Sequence, residues 1–184
     1  MNYGTIKTCD IANGPGVRTS LFVSGCTHHC KGCFQAETWN FDYGMPYSEE
    51  TETMLLESLK PSYIKGFTVL GGEPFEPDNQ RVLVKLLKRI RVKYPDINIW
   101  SYSGYLFEEL TGQVEGTGRA RCEVTSEMLL YLDGLVDGKF MEDKKDLSLS
   151  FRGSSNQRVI NVQESLRTGN VVLINLKNRS KKSV

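Results

Sequence analysis

Two hydrophobic periods alternate along the chain: short β-prone runs with apolar residues close together, and longer stretches where they recur at threes and fours. The first β-prone run is Val17–Val23, where Thr19, Leu21, Phe22 and Val23 lead directly into a cysteine-rich loop. After a loop marked by Gly44 and Pro46, Ser48 is placed to cap a helix. Glu49 and Glu50 fall in its first turn, Met54, Leu55, Leu56 and Leu59 on its buried face, and Pro61 is its stop. Gly66-Phe67-Thr68-Val69-Leu70 reads as a second strand, ended by Gly71-Gly72-Glu73-Pro74. Asp78 is the candidate cap of a stronger helix, with Val82, Leu83, Leu86, Leu87, Ile90 and Tyr94 opposite Lys85, Lys88, Arg89, Arg91 and Lys93, and Pro95 ends it.

Ile97-Asn98-Ile99-Trp100-Ser101 reads as a third strand leading to Gly104, and Phe107, Glu108, Glu109 and Leu110 as a brief helix. Residues 112–121 carry no apolar period and read as a loop, and residues 126–132 as a helix. Gly134-Leu135-Val136 is a fourth strand ending at Asp137-Gly138-Lys139, and Val159-Ile160 and Val171-Val172-Leu173-Ile174 are late β-prone runs. Strands alternating with helices predict βαβ units and an α/β fold with a curved, mainly parallel sheet, too short at 184 residues to close into a full barrel. Glycine-marked turns after three strands place Gly71-Gly72, Gly104 and residues 137–139 on one rim with the cysteines.

Composition narrows this picture little. With 39% hydrophobic and 24% charged residues the chain reads as an ordinary globular protein, expected as one domain over residues 1–163 and an extension over 164–184. No apolar run approaches the roughly 20 residues of a membrane span, and Met1-Asn2-Tyr3-Gly4 begins no signal peptide, so the cytoplasm is the expected compartment and no membrane partner is expected. A net charge of +1 offers no footprint for nucleic acid, and the basic tail Lys177-Asn178-Arg179-Ser180-Lys181-Lys182 reads as a solvated end. Five cysteines is an odd number and argues for reduced thiols over a disulfide framework. Cys9 and Cys122 stand alone and read as small packed side chains.

The chemistry concentrates in Ser24-Gly25-Cys26-Thr27-His28-His29-Cys30-Lys31-Gly32-Cys33-Phe34. Three thiolates spaced Cys-x3-Cys-x2-Cys are ligands for a soft metal centre, one short of a closed four-cysteine site. A zinc module completed by His28 or His29 is one alternative, and an electron-transfer cluster is another.

Together with the glycine turns, this array resembles the motif of the radical S-adenosylmethionine superfamily. There, three cysteines hold a [4Fe-4S] cluster and the methionine end of S-adenosylmethionine binds the fourth iron; one electron then cleaves the sulfonium bond to methionine and a 5'-deoxyadenosyl radical. Gly71-Gly72-Glu73-Pro74 resembles the family's second signature. Asn13-Gly14-Pro15-Gly16-Val17-Arg18 is similar to the Asp-Gly-Pro-Gly-hydrophobic-Arg element of glycyl-radical activating enzymes, with Asn13 where several relatives carry Asp. Asp137-Gly138-Lys139 matches their Asp-x-Lys element. Arg152-Gly153-Ser154-Ser155-Asn156-Gln157-Arg158, with Trp39 and Tyr105, resembles the anaerobic ribonucleoside-triphosphate reductase activating proteins.

The resemblance implies a partial β/α barrel of radical SAM type, with the cluster on Cys26, Cys30 and Cys33. It implies the backbone of Gly32, Cys33 and Phe34 at the adenine, Gly71, Gly72 and Glu73 at the amino group, and Lys139 with Asn156 at the carboxylate. No side chain is assigned as an acid or base. The implied partners are the reductase catalytic subunit, which loses a hydrogen from one glycine Cα, and an electron donor such as a flavodoxin. An activase of pyruvate formate-lyase or of another glycyl-radical enzyme is the neighbouring alternative. Changing Cys26, Cys30 or Cys33 to Ala is expected to abolish iron binding, and changing His28 or His29 to Ala to retain it, as measured by iron content after anaerobic reconstitution.

Overall fold

A computed structural model describes residues 1–114 and 118–176. The basic tail and the middle of the expected 112–121 loop lie outside those residues. Seven strands form one open sheet in the order β3-β1-β2-β4-β5-β6-β7. They are β1 (Asn2–Asp10), β2 (Val17–Val23), β3 (Met45–Pro46), β4 (Ile64–Gly71), β5 (Asn98–Tyr102), β6 (Gly134–Asp137) and β7 (Arg158–Asn161). The helices are α1 (Glu49–Ser58), α2 (Pro77–Lys93), α3 (Phe107–Thr111), α4 (Thr125–Leu130) and α5 (Val162–Thr168).

The expected mainly parallel sheet is corrected to a mixed one. β2, β4, β5 and β6 pair in parallel, whereas β1 pairs antiparallel with both β2 and β3, and β7 antiparallel with β6. The connections explain the difference, because a parallel neighbour requires a long crossover and an antiparallel one does not. A short turn joins β1 to β2. Between β6 and β7 the chain forms only the one-turn 3-10 helix Glu142–Lys144, so it returns alongside β6 in the opposite direction. β1 carries no sequence signal because most of it is half-buried or exposed, with no clean alternation.

Ser48 caps α1 as expected, its side chain accepting from Thr51 N. α2 starts differently: Glu76 is the N-cap residue and Pro77 the first helical residue, where a missing N–H costs nothing, so Asp78 falls inside the first turn. The 171–174 run does not form a strand, contributing only a bridge from Leu173 to Ile160 beside β7. The division expected after residue 163 falls inside α5, whose Val162 and Ser165 are buried.

Alternation along the parallel strands separates two faces. Leu21, Val23, Phe67, Val69, Ile99, Leu135 and Ile160 join the main core with Leu55, Leu83, Leu87, Phe107, Met128 and Val162, so the helices cover this face. The other face carries Trp100, Val136 and Val159 in a small second cluster, and no helix of the described residues packs into it.

Arg18, the second residue of β2 and the last of the glycine-rich motif that leads into it, is fully buried. Its Nε donates to Thr68 Oγ1 (2.7 Å), Nη1 to the Pro15 carbonyl (2.7 Å), and Nη2 to the carbonyls of Phe67 and Asn98 (3.0 Å each). Burial pushes its pKa down to about 10, which leaves the guanidinium charged at neutral pH. A Cβ at Gly66 would overlap Nη1, so that glycine makes room for the cation. The turn motif therefore anchors β2 across β4 to β5. Arg18→Met, which strands four acceptors, is expected to lower stability by about 3 kcal/mol in urea unfolding.

Candidate metal centre

The cysteine loop leaves the end of β2 and is fastened from two sides. Gly25 N donates to the Thr38 carbonyl (2.8 Å) and Cys26 N to the Trp39 carbonyl (3.1 Å), which ties the loop to the one-turn 3-10 helix Ala36–Trp39. From the other side, residues 73, 76 and 79 each grip it. Asn79 Nδ2 donates to the carbonyls of Ser24 (3.0 Å) and Glu73 (2.9 Å). The Glu76 carboxylate accepts from Thr27 N (2.9 Å) and Thr27 Oγ1 (2.5 Å). Glu73 Oε2 lies 2.9 Å from His28 Nε2. His29 stacks on Trp39 with centroids 4.7 Å apart. All three residues between Cys26 and Cys30 are thus held by side-chain partners.

Glu73 is 1% exposed and accepts four hydrogen bonds. Phe75 N (2.8 Å) and Ser103 Oγ (2.9 Å) donate to Oε1, and Gly104 N (2.7 Å) joins His28 at Oε2. This carboxylate therefore ties the end of β4 to the end of β5 and to the cysteine loop. The two glycines before it allow a close approach: Gly72 N donates to the Val23 carbonyl (2.7 Å), and Cβ atoms at Gly71 and Gly72 would lie 2.7 and 2.6 Å from the carbonyl oxygens of Val23 and Gly25.

These strand ends surround a cavity of about 460 Å³ on the face that no helix covers. Cys26, Cys30 and Cys33 line it with Gly71, Gly72 and Glu73, and Phe22, Leu70 and Tyr102 of the sheet form its base. The segment between β6 and β7 supplies a further wall through Phe151, Arg152 and Gly153. Cys26 is buried, and burial followed by the charge of Glu73 pushes its thiol up to about 12; burial raises Cys30 as well. Metal ligation deprotonates such thiols outright. Among the described residues no three His, Cys, Asp or Glu side chains converge as ligands of a single ion would. A four-iron cluster makes no such demand, because each thiolate takes a different iron.

A family model described as a 4Fe-4S single cluster domain matches residues 12–160. The chain is 42% identical over 159 residues to a protein of Pasteurella multocida, covering 85% of this chain and 95% of that protein. It is 41% identical over 161 residues to one of Escherichia coli K12 (86% and 97%), and 38% identical over 159 residues to one of Enterobacteria phage T4 (86% and 93%). All three are named anaerobic ribonucleoside-triphosphate reductase-activating proteins. This chain belongs to that family.

Measured against the expectations for a reductase-activating protein, Gly71, Gly72 and the three cysteines meet at one cavity as the rim argument required. Phe34 lines the cavity while 61% exposed, its ring 5.1 Å from that of Phe140 with Lys145 Nζ above it. Gly32 backs onto Glu142 rather than facing the cavity. Lys139 is exposed, and neither it nor Asn156 is among the lining residues. Asn156 Nδ2 donates to the Lys139 carbonyl (2.8 Å), so its uncommitted buried atom is the acceptor Oδ1. Arg152, which the sequence offers only as the first residue of the 152–158 run and with no role of its own, lines the cavity with Nε buried and unpartnered among the described residues. Glu76, Asn79 and Ser103 were missed too, because nothing local in the chain marks them as partners of the cysteine loop. The histidine of a zinc site is also hard to supply, with His28 Nε2 bound to Glu73 and His29 stacked on Trp39.

Asp137, the acid of the Asp-x-Lys element, is fully buried and accepts from Phe107 N (2.8 Å) and from Arg158 Nε (3.0 Å). Arg158 also holds Glu108 through two hydrogen bonds (2.9 and 2.6 Å), which keeps the Glu108 carboxyl below its usual value. A depressed carboxyl contributes stability above its unfolded pKa and loses it as pH falls through the folded value. Arg158→Gln is therefore expected to reduce stability at neutral pH and to flatten the loss on acidification below about 4.5, read from urea midpoints across pH.

Proposed function

We propose that this chain activates an anaerobic ribonucleoside-triphosphate reductase by generating a glycyl radical on its catalytic subunit. The observation that carries the reading is the convergence of Cys26, Cys30 and Cys33 with the Gly71-Gly72 turn on one cavity, in a chain whose relatives bear that name. When bound, a [4Fe-4S] cluster and S-adenosylmethionine supply the chemistry, a one-electron cleavage of the sulfonium whose adenosyl product takes a hydrogen from a glycine Cα.

The protein's own part is to bind and orient. Cys26, Cys30 and Cys33 would hold the cluster, three protein ligands for its four irons. The backbone at Gly71, Gly72 and Glu73, which lines the cavity beside the cysteines, would receive the amino group. Arg152 adds a cation to Lys139 for the carboxylate, supported by its buried and unpartnered Nε. The backbone of Cys33 and Phe34 would meet the adenine end, with Gly32 turned behind it against Glu142, and Asn156, which donates to the Lys139 carbonyl, would stand with Lys139 at the carboxylate. Phe22, Leu70, Tyr102 and Phe151 give the reacting region an apolar lining.

On this reading the parallel run β2-β4-β5-β6 is the core of a radical SAM partial barrel, and the antiparallel strands flank it. A low-potential donor such as a flavodoxin supplies the electron, the partner presents its glycine-bearing C-terminal region, and the setting is the cytoplasm. Among the described residues no helix is long and apolar enough to cross a membrane. The reconstituted protein, reduced without oxygen, is expected to release methionine and 5'-deoxyadenosine from S-adenosylmethionine. A glycyl doublet should appear by electron paramagnetic resonance on mixing with the reductase and not with pyruvate formate-lyase. One equivalent of zinc without iron or cleavage would overturn the reading.

A further inference from the structure

Three carboxylates are buried close to the cysteine-bearing rim, and they differ in what balances them. Asp137 faces Arg158, and Glu76 is reached by Arg119 Nη2 at 3.2 Å. Glu73 has no guanidinium partner: its four donors are two backbone N–H groups, the Ser103 hydroxyl and the His28 imidazole, which is a charge partner only when protonated, and no ion pair joins it to a lysine or arginine among the described residues. It lines the cavity together with all three cysteines, whereas Lys139, whose charge reaches Cys30, stands exposed at the rim.

We propose that Glu73 is a positioning residue that locks the cysteine loop to the β4 and β5 ends through His28, Ser103 and Gly104, and that its buried charge lowers the reduction potential of the cluster. The inference rests on the reading that Cys26, Cys30 and Cys33 hold that cluster. Adding an electron beside a fixed negative charge is opposed electrostatically, more so in a water-poor site, and net charge and hydrogen bonding are among the levers that set cluster potentials. The arrangement also places the charge on the segment proposed to receive the amino group. The loop that carries the iron and the turn that meets the ligand are thus held by one side chain.

The test is the midpoint potential of the reconstituted full chain, measured by an anaerobic dye-mediated titration followed by electron paramagnetic resonance, without S-adenosylmethionine or partner. Glu73→Gln keeps the shape and removes the charge. It is expected to retain iron, to shift the midpoint to a more positive value and to change the spectrum of the reduced cluster. Full iron with an unchanged or more negative midpoint overturns the proposal. If Glu73→Gln loads no iron, Ser103→Ala decides, because it removes one compensating donor without touching the cysteine loop. A more negative midpoint supports the proposal, and an unchanged or more positive one overturns it. A wild-type chain that binds no iron would instead remove the cluster reading itself.

Discussion

The Glu73 carboxylate is the joint on which the site depends. Four donors from the cysteine loop, the start of the α2 segment and the end of β5 meet at its two oxygens, in a position 1% exposed. Leaving any such donor unpaired in a buried place costs about 1–3 kcal/mol, so the three segments are fixed relative to each other by a shared requirement rather than by separate contacts. The glycine pair before it has the complementary role. It brings the β4 end against the carbonyls of Val23 and Gly25 and so carries Glu73 to within reach of His28.

The unequal covering of the sheet turns this joint into a site. Helices α1 to α5 bury one face, and the opposite face leaves Phe22, Leu70 and Tyr102 as the base of an open cavity. A segment with only a one-turn 3-10 helix, between β6 and β7, bends over that face and supplies Phe151 and Arg152. Arg18 spans three strands with no carboxylate in hydrogen-bond contact among the described residues, its desolvation offset by four neutral acceptors. The Gly-Pro-Gly turn thereby has a mechanical role: it admits a buried cation that ties together the starts of β2, β4 and β5, at the opposite ends of these strands from the cysteine loop.

Much of the site was legible from spacing. Three cysteines within eight residues mark a candidate ligand set by type and distance alone, and a double glycine at a strand end marks a close approach. The partners of the intervening residues were not legible. His28 meets Glu73, Thr27 meets Glu76 and Ser24 meets Asn79 across 45, 49 and 55 residues of sequence. An acid at the start of a helix has the same local appearance whether it faces water or grips a loop. Arg152 escaped for a related reason, since a polar run shows its donors but not which of them remains unpaired.

Hydrophobic period, capping residues and proline stops are local properties, and they determined β2, β4, β5, β6, α1 and α2 to within about two residues. Direction and pairing are not local. Whether β7 runs with or against β6 depends on how residues 138–157 cross the sheet, and β1 pairs through backbone hydrogen bonds that its half-exposed side chains do not announce. Tertiary structure alone decided the mixed sheet, the capping of α2 by Glu76, and the meeting of Glu73 with His28, because each is a choice among partners far apart in the chain that only simultaneous burial can make.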